Sequence, residues 1–270
     1  MSSVTSTDFA KDYQKSGVSF PLPVLSHGEA IHYRKQLEDF EAEKGEAISG
    51  RQNKKIHLLF PWANELIRNS KILDAVEKII GPNILCWGSE VFCKEANSSN
   101  YVSWHQDATY WGIGTDQILT AWVALSESSV ESGCMRVVPE SHNEQVMHED
   151  NMSDGNLLSR GQEIAVDVDE SKAVDVTLKP GEMSLHHVLI FHGSKPNRSD
   201  DKRMGFVIRF LPPHLKPTSG VDSATLVRGK DDHGNFELEP TPNCVNDPKL
   251  VEYHKNVCDK LEARLMGLES

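Results

Sequence analysis

Residues 101–112, with the sequence YVSWHQDATYWG, place a histidine and an aspartate two positions apart, at His105 and Asp107. Residues i and i+2 of a β-strand project from the same face. On a strand, this pair would therefore direct one imidazole and one carboxylate towards the same point, which suits a metal ion. An HxD pair is more often an ordinary hydrogen-bonded pair, so the metal interpretation requires a third ligand from elsewhere in the chain.

A second histidine-rich segment, HHVLIFHGS at residues 186–194, offers this third ligand through His186, His187 or His192. Strand periodicity alone does not choose among the three. Two histidines and one carboxylate occupy one face of an octahedral iron(II) ion and leave three positions open. Those positions suit a bidentate co-substrate and dioxygen, so the residue types favour oxygen-activating iron chemistry.

An anion-binding group is predicted close to the same segment. Arg203 follows His192 by 11 positions (203 − 192), and the intervening PNRSDD is rich in turn-forming residues. A hairpin at this point would bring Arg203 back beside the strand that carries His192. Arginine can bind a carboxylate through two parallel hydrogen bonds. Arg209 has the same strand parity as Arg203, so the pattern leaves both as candidates.

Composition limits the class of partner. The 270 residues carry a formal net charge of −12 and show no basic patch, which argues against nucleic-acid binding and favours a small-molecule substrate. The five cysteines are odd in number and form no CxxC pair, so free thiols in a reducing compartment are expected. The chain has no apolar signal core and no apolar run of membrane length, which predicts a cytoplasmic protein without a membrane partner.

The elements that must support such a site begin with a helical region. Residues 1–82 are predicted to be mostly helical. One helix begins at a capping box formed by Ser26 and Glu29 and ends at Gly45. A second helix is predicted over residues 62–81, WANELIRNSKILDAVEKIIG, where apolar residues recur every three to four positions.

Residues 83–213 are predicted to form a β-core, because the apolar period falls towards 2 and short β-like runs alternate with turns. Many short strands at such intervals favour an antiparallel sandwich or barrel. A polar, acidic insert near residues 143–170 is longer than an ordinary hairpin and is a candidate lid. Residues 214–270 are interpreted as an extension that ends in a helix, within a single domain of residues 1–270.

Three motifs in order, WHQD, GCMRVVPESH and HGSKPNRSDDKR, resemble the phytanoyl-CoA dioxygenase family of iron(II)/2-oxoglutarate-dependent oxygenases. The resemblance covers residues 94–210 and is weaker in the N-terminal helices. It implies a mainly β protein with flanking helices, in which a double-stranded β-helix forms a jelly-roll, cupin-like barrel.

The resemblance also assigns roles to individual residues. It implies that His105, Asp107 and His192 bind iron(II), since the ligand histidine is the one followed by Gly-Ser. Arg203 would pair with the distal carboxylate of the co-substrate 2-oxoglutarate. The other implied cofactor-binding residues are Ser194, Trp122 and Lys94. A core aromatic residue remains the alternative for the tryptophan, and a solvated surface side chain remains the alternative for the lysine.

The motif GCMRVVPESH is interpreted as structural. Gly133 is expected to turn the chain, and His142 is expected to hydrogen-bond a loop. The family usually has glycine where this chain has Glu140, and this departure puts the turn conformation at that position in question.

The activity implied by the resemblance is hydroxylation of a C–H bond of a small polar metabolite by dioxygen, with release of succinate and CO2. A carboxylate at Asp107 favours hydroxylation over halogenation, because related halogenases have a small residue there and bind chloride in its place. The longer pattern around the motifs resembles a bacterial subgroup that includes an enzyme hydroxylating 2-aminoethylphosphonate next to phosphorus. This predicts an anionic or zwitterionic substrate, which Arg51, Asn53, Lys55 and His57 could help to bind; a solvated run of charges is the alternative for each of them.

Other functions remain open from the sequence. The chain could hydroxylate another small acid or a natural-product intermediate. A cupin-like enzyme that uses zinc or manganese without 2-oxoglutarate would fit the strands and ligands but would leave Arg203 unexplained. A non-catalytic metal-binding barrel is a further possibility, although all three ligands are present. An assay of succinate formation after metal reconstitution separates these classes.

Overall fold

The protein is described by a computed structural model that covers residues 8–111, 113, 117–150, 153–158, 162–218 and 220–265. The chain divides into two compact units. The first comprises Met1–Ile31, Phe92–Thr109 and Trp122–Gly205, and the second comprises His32–Val91, Tyr110–Ala121 and Phe206–Ser270. No helix among the described residues has the length and apolar character needed to cross a membrane.

The predicted capping box of Ser26 and Glu29 is present. The Ser26 backbone N–H donates to Glu29 Oε2 at 2.6 Å, and the Glu29 N–H donates to Ser26 Oγ at 3.2 Å. These bonds satisfy two of the N–H groups that the start of a helix leaves unpaired. The described helices are α1 (Asp8–Ser16), α2 (His27–Lys44), α3 (Pro61–Leu66), α4 (Ser70–Ile80) and α5 (Pro248–Leu265).

The prediction of one continuous helix over residues 62–81 is wrong, because the chain forms α3 and α4 there. The Asn69 side-chain oxygen accepts the backbone N–H groups of Lys71 at 3.0 Å and Ile72 at 3.3 Å. Asparagine in this position is a strong N-cap, so a new helix begins after it. Gly81, with φ of 89°, ends α4 as predicted.

The strands occupy most of the region predicted to be β, with additions at both ends. β1 lies within the stretch predicted to be mostly helical, and β12 lies within the predicted extension. The strands are β1 (Val18–Pro23), β2 (Ile84–Lys94), β3 (Val102–His105), β4 (Leu119–Ala124), β5 (Met135–Val138), β6 (His148–Asp150), β7 (Gln162–Ile164), β8 (Val174–Val176), β9 (Glu182–His187), β10 (Phe191–Ser194), β11 (Arg203–Leu211), β12 (Ser223–Arg228) and β13 (Glu237–Leu238).

Among the described residues, the strands form separate sheets rather than one continuously hydrogen-bonded barrel. The order in the largest sheet is β1-β9-β4-β11-β2-β12-β13, and the order in a four-stranded sheet is β3-β10-β5-β8. β10 is the strand that organises the smaller sheet, because it pairs antiparallel with β3 on one side and β5 on the other. His192 of β10 is directly opposite His105 of β3.

The polar insert near residues 143–170 contains regular structure in its described part. β6 and β7 pair antiparallel as a two-stranded sheet, with Glu149 opposite Glu163. Residues 151–152 and 159–161 of the predicted insert lie outside the described residues. Asn156, between the two strands, forms a parallel bridge with Tyr101, just before β3. The insert is therefore attached to the segment that leads into the strand bearing His105.

The backbone at Glu140 has the conformation that the glycine usual in the family would favour. Glu140 has φ of 68°, the left-handed conformation that glycine adopts without steric cost. The turn is held because the Glu140 N–H donates to the Ser16 carbonyl at 2.8 Å and the Asn143 amide donates to the Glu140 carbonyl at 2.7 Å. The chain therefore keeps the conformation that a glycine would favour despite carrying a side chain.

Replacing Glu140 with glycine is expected to stabilise the protein by about 1 kcal/mol, because the strain of a left-handed non-glycine residue exceeds the entropy that glycine adds to the unfolded chain. Urea unfolding would measure the free energy of unfolding. Glu131→Gly is the matched control, since Glu131 is an exposed turn residue whose φ is not in the left-handed region. An equal loss of stability in both variants would contradict the strain at Glu140.

The second unit contains a buried network of charged side chains. Lys55 Nζ donates to Glu239 Oε1 at 2.6 Å, and His57 Nε2 lies 2.9 Å from Glu239 Oε2. The Glu239 carboxylate also accepts the hydroxyl groups of Ser223 and Thr225, each at 2.7 Å. Both carboxylate oxygens of Glu239 are therefore hydrogen-bonded within the unit.

The expectation that Lys55 and His57 bind a substrate anion is wrong. Their side chains are 1% and 0% exposed, and both are paired with Glu239. Burial acts to raise the pKa of Glu239, but Lys55 and His57 outweigh it and hold that pKa well below its usual range. Burial lowers the pKa of His57, so the imidazole is neutral in the network.

Candidate metal centre

Three potential ligands converge in the first unit. His105 is the last residue of β3, His192 lies in β10, and Asp107 begins a short 3-10 helix, Asp107–Tyr110. Asp107 Oδ1 is 3.6 Å from His105 Nε2 and 3.9 Å from His192 Nε2. The three ligand atoms lie within 4.8 Å of one another, and the two imidazoles are largely buried. This spacing allows one metal ion to contact all three atoms.

The route by which Asp107 reaches this point differs from the predicted one. Strand parity placed His105 and Asp107 on one face of a continuous strand, but β3 ends at His105. Asp107 instead reaches the site because the chain turns into a 3-10 helix at that residue. The Ala108 N–H donates to the Val188 carbonyl at 3.3 Å and helps to fix this turn.

Both imidazoles are oriented to present a free lone pair at Nε2. His105 Nδ1 lies 3.0 Å from the Ser103 carbonyl, and His192 Nδ1 lies 2.9 Å from the Ile190 carbonyl. Because a carbonyl only accepts, Nδ1 carries the proton in each ring and Nε2 remains available to a metal. Burial, reinforced by His105, lowers the pKa of His192 to about 3, so this imidazole is neutral. The donor set fits a divalent metal.

The other two histidines of the HHVLIFHGS segment, His186 and His187, lie outside the cluster of potential ligands. The His186 ring is buried, with its centroid 5.2 Å from that of His192. His187 Nδ1 accepts the Leu189 N–H at 3.1 Å, and its ring packs near His142. His142 packs in turn against Gly17, where an added Cβ would lie 2.6 Å from the imidazole. Neither His186 nor His187 belongs to the described cluster of potential metal ligands.

Arg203 is a buried cation with an unused donor. Its side chain lies over the rings of Trp122 and Phe92, with centroid distances of 5.4 and 5.8 Å, and its Nη1 donates to the Gly133 carbonyl at 2.5 Å. Among the described residues, no group accepts from Arg203 Nε. Burial lowers the pKa of Arg203 to about 10, so the guanidinium stays charged at neutral pH. A buried charge of this kind favours binding of an anion.

Glycine residues shape the surroundings of Arg203. Gly133 has φ of 67°, and a Cβ there would lie 2.3 Å from the Lys195 carbonyl oxygen, so the predicted turn requires glycine. A Cβ at Gly205 would lie 2.0 Å from the Trp122 indole. The absence of a side chain at Gly205 thus admits the tryptophan that lies over the guanidinium.

Lys94 is buried and is not a solvated surface lysine. It is 1% exposed, and its Nζ donates to Ser194 Oγ at 2.7 Å and to the Lys195 carbonyl. Burial, followed by the charge of Arg203, lowers the pKa of Lys94 to about 7. The two cations are therefore close enough to repel one another, and an anion between them would relieve that repulsion.

The predicted hairpin between His192 and Arg203 is wrong. β10 pairs with β3 and β5, whereas β11 lies between β4 and β2 in the larger sheet. Ser194 is instead linked to this region by Lys94 at the end of β2. Arg209 is distinguished from Arg203 by its partners, since it forms an ion pair with Glu90 and lies 4.8 Å from the Trp111 ring centroid.

One polar residue of the site was missed by the sequence analysis. Gln106, between two of the potential ligands, is 1% exposed, and its side-chain amide makes three hydrogen bonds to backbone groups. Its position inside WHQD was visible in the sequence. Its partners are 38 to 83 positions away, so local pattern gave no sign of them.

Comparison with known proteins agrees with this geometry. The model of the phytanoyl-CoA dioxygenase (PhyH) family matches residues 27–205, which is more than half of the chain. The chain belongs to the phytanoyl-CoA dioxygenase family. The predicted enzyme class, a dioxygenase dependent on iron(II) and 2-oxoglutarate, is confirmed with it.

A bacterial relative and two sets of solved structures illustrate the similarity. A probable alpha-ketoglutarate-dependent hypophosphite dioxygenase of Stutzerimonas stutzeri is 31% identical over 219 residues, which cover 79% of this chain and 72% of that protein. The non-heme monooxygenase ThoJ superposes in its apo form with a TM-score of 0.87 at 34% identity, covering 97% of this chain and 98% of ThoJ. Its nickel complex gives a TM-score of 0.82 at 31% identity, covering 97% and 100%.

CytC3 with Fe(II) and alpha-ketoglutarate has a similar fold at a lower sequence identity. It superposes with a TM-score of 0.65 at 23% identity, covering 89% of this chain and 96% of that chain. The predicted fold, the jelly-roll of the family, is confirmed, although the strands in the described part of this phytanoyl-CoA dioxygenase family member do not close into one barrel.

Proposed function

We propose that His105, Asp107 and His192 bind iron(II) and that the protein hydroxylates a small anionic or zwitterionic phosphorus compound, with 2-aminoethylphosphonate as the specific substrate. The convergence of three ligand atoms within 4.8 Å carries this proposal. A 2-His-1-carboxylate set of this kind leaves metal positions open for a co-substrate and dioxygen.

The anion site around Arg203 is proposed to bind the distal carboxylate of 2-oxoglutarate. Ser194 and His192 are two positions apart on β10 and project from the same face, so their side chains are separated by about 7 Å along the strand. A five-carbon diacid can span from the metal ligands to Ser194 and its partner Lys94. Arg203 Nε and Lys94 Nζ would then donate to the carboxylate, while Trp122 and Phe92 exclude water from the guanidinium.

When bound, iron(II) and 2-oxoglutarate supply the oxidising chemistry, in which one oxygen atom enters succinate and the other enters the hydroxylated product. The chain's own residues orient these groups. The carbonyls of Ser103 and Ile190 hold the two imidazoles in one tautomer, and Asp107 provides the negative charge that offsets a divalent ion. The retained carboxylate favours hydroxylation over halogenation.

The substrate proposal rests on two observations. The sequence pattern around the motifs resembles phosphonate hydroxylases, and the Stutzerimonas stutzeri relative is named for action on hypophosphite, another small phosphorus oxyanion. Both substrates are small and negatively charged. Hydroxylation of 2-aminoethylphosphonate next to phosphorus would break one C–H bond and form one C–O bond, with consumption of one 2-oxoglutarate and one dioxygen.

Anaerobic reconstitution with iron(II) and 2-oxoglutarate, followed by exposure to oxygen, tests both parts of the proposal. We expect 2-aminoethylphosphonate to increase succinate formation in a one-to-one ratio with hydroxylated product. If only hypophosphite or a small carboxylic acid increased succinate formation, the proposed substrate would be wrong and the proposed reaction class would stand. Turnover with zinc or manganese and without 2-oxoglutarate would overturn the class itself.

Lys94 is expected to make the affinity for 2-oxoglutarate depend on pH. Its pKa of about 7, set by burial and Arg203, means that half of this positive charge is lost in the free enzyme near pH 7 and nearly all of it by pH 9. The neighbouring Cys134 thiol is neutral throughout most of this range, because burial raises its pKa to about 11. Since 2-oxoglutarate binds best to the charged form, its KM should rise with pH over this window.

Lys94→Met should increase the KM for 2-oxoglutarate by about 10-fold at pH 6.5, as expected for loss of a hydrogen bond from a charged group, and should flatten its pH dependence. Initial rates at pH 6.5, 8 and 9 would measure both effects. Lys195→Met is the control, because Lys195 is exposed and only its backbone carbonyl contacts Lys94. An unchanged pH profile in Lys94→Met would contradict this role.

A further inference from the structure

The side chain of Gln106 hydrogen-bonds to two other segments of the first unit, one at Glu144 and Val146 and one at Leu189. Its Nε2 donates to the Glu144 carbonyl at 2.8 Å and to the Leu189 carbonyl at 2.6 Å, and its Oε1 accepts the Val146 N–H at 2.9 Å. Its backbone N–H donates to His148 Nε2 at 2.8 Å. Both N–H groups and the oxygen of the amide are therefore hydrogen-bonded, at a position directly between His105 and Asp107 in the chain.

The contact with Leu189 links the two ligand-bearing segments. Three successive carbonyls, at residues 188–190 between β9 and β10, accept from different parts of the site. The Val188 carbonyl accepts the Ala108 N–H, the Leu189 carbonyl accepts the Gln106 amide, and the Ile190 carbonyl accepts His192 Nδ1. Gln106 thus connects the segment carrying His105 and Asp107 to the loop that leads to His192.

The contacts with Glu144, Val146 and His148 link both segments to the start of the polar insert. We call residues 143–148 the strap. The His148 ring is held in a single tautomer, because Nε2 accepts from Gln106 while Nδ1 donates to the Val146 carbonyl at 3.0 Å. Further along, the Asn156 amide donates to Ser103 Oγ at 2.9 Å. The insert is therefore hydrogen-bonded to the ligand-bearing segment at several points.

We propose that Gln106 is a positioning residue that couples metal binding to the order of the strap. This coupling rests on the proposed function, because it requires that His105, Asp107 and His192 bind the metal. A metal that fixes the segment 105–107 also fixes the Gln106 amide, and this holds the backbone of Glu144 and Val146. The coupling is reciprocal, so an ordered strap strengthens metal binding by the same factor.

Gln106→Met tests the coupling, because methionine has a similar volume and makes no amide hydrogen bonds. Calorimetry with Ni(II), which does not require turnover, should show a dissociation constant raised by at least about 10-fold, the lower end of the effect of outer partners of metal ligands. Gln145→Ala, an exposed change within the strap, should bind Ni(II) like the unmodified protein. Equal binding by Gln106→Met and the unmodified protein would overturn the proposal.

Hydrogen exchange provides a measurement that does not depend on the variant's stability. In the unmodified protein, Ni(II) should slow exchange of the Val146 amide, which donates to Gln106. No change in Val146 exchange on binding Ni(II) would also overturn the proposal. His105→Ala separates this failure from failure of the proposed function: undiminished Ni(II) binding by that variant would refute the metal site itself.

Discussion

Asp107→Ala should abolish hydroxylation, with a loss of kcat/KM of about a thousandfold or more, equivalent to the several kcal/mol that a bound catalytic metal contributes. Asp107 is the only carboxylate in the described cluster of three potential ligands, and its Oδ1 lies within 4 Å of both imidazoles. Its removal takes away the one anionic ligand. Succinate and product formation after reconstitution would measure the loss.

Two further variants test whether the loss of activity in Asp107→Ala comes from the charge of the ligand. Asp107→Asn keeps the shape of the side chain and removes its charge, so it should also lose activity and bind Ni(II) weakly. Asp154→Ala removes an exposed carboxylate from the same unit and should leave both properties unchanged. Full hydroxylation by Asp107→Ala would refute the assignment of the three ligands.

Arg203→Gln should raise the KM for 2-oxoglutarate by about 30-fold or more, corresponding to the 2–5 kcal/mol lost when one partner of a buried, hydrogen-bonded charge pair is truncated. The Arg203 guanidinium is buried beside Trp122 and has an unused Nε donor, so pairing with a carboxylate would offset the cost of burying this charge. The affinity for Ni(II) should remain unchanged, because Arg203 is not a metal ligand.

Arg198→Gln is the matched control for this change. Arg198 lies on the same connection between β10 and β11, but its side chain is exposed. A normal KM for 2-oxoglutarate in Arg203→Gln, accompanied only by lower stability, would assign the arginine to the turn at Gly133 instead. Steady-state kinetics with varied 2-oxoglutarate and a thermal unfolding curve distinguish these outcomes.

Sequence predicted that His105, Asp107 and His192 lie together, but it did not predict how the chain brings them together. The spacing of His105 and Asp107 suggested a strand, but a 3-10 helix delivers Asp107, and both geometries allow the same contact. The connection from His192 to Arg203 read as a hairpin because its residues favour turns. Turn-forming composition does not specify which sheet the next strand joins, and here it joins a different one.

The parts of the fold that could be predicted are those with local signals. The capping box of α2 and the β-runs from β2 to β11 depend on residues that are close in sequence. β1 was missed because its two prolines are rare in strands and it pairs with β9, more than 150 positions later. The contacts of Gln106 could not be predicted either, because its partners are distant in sequence and a single buried amide gives no periodic signal.

The buried network of Lys55, His57 and Glu239 constrains how this sequence can diverge. Loss of Lys55 or of Glu239 would leave the other charge buried without its ion partner, at a cost of about 3–5 kcal/mol, which is a large part of the stability of a typical domain. Joint replacement by apolar residues of similar volume could be nearly neutral. Substitutions at Lys55 and Glu239 are therefore epistatic: viable sequences should retain both residues or exchange them together, even though neither takes part in the proposed chemistry.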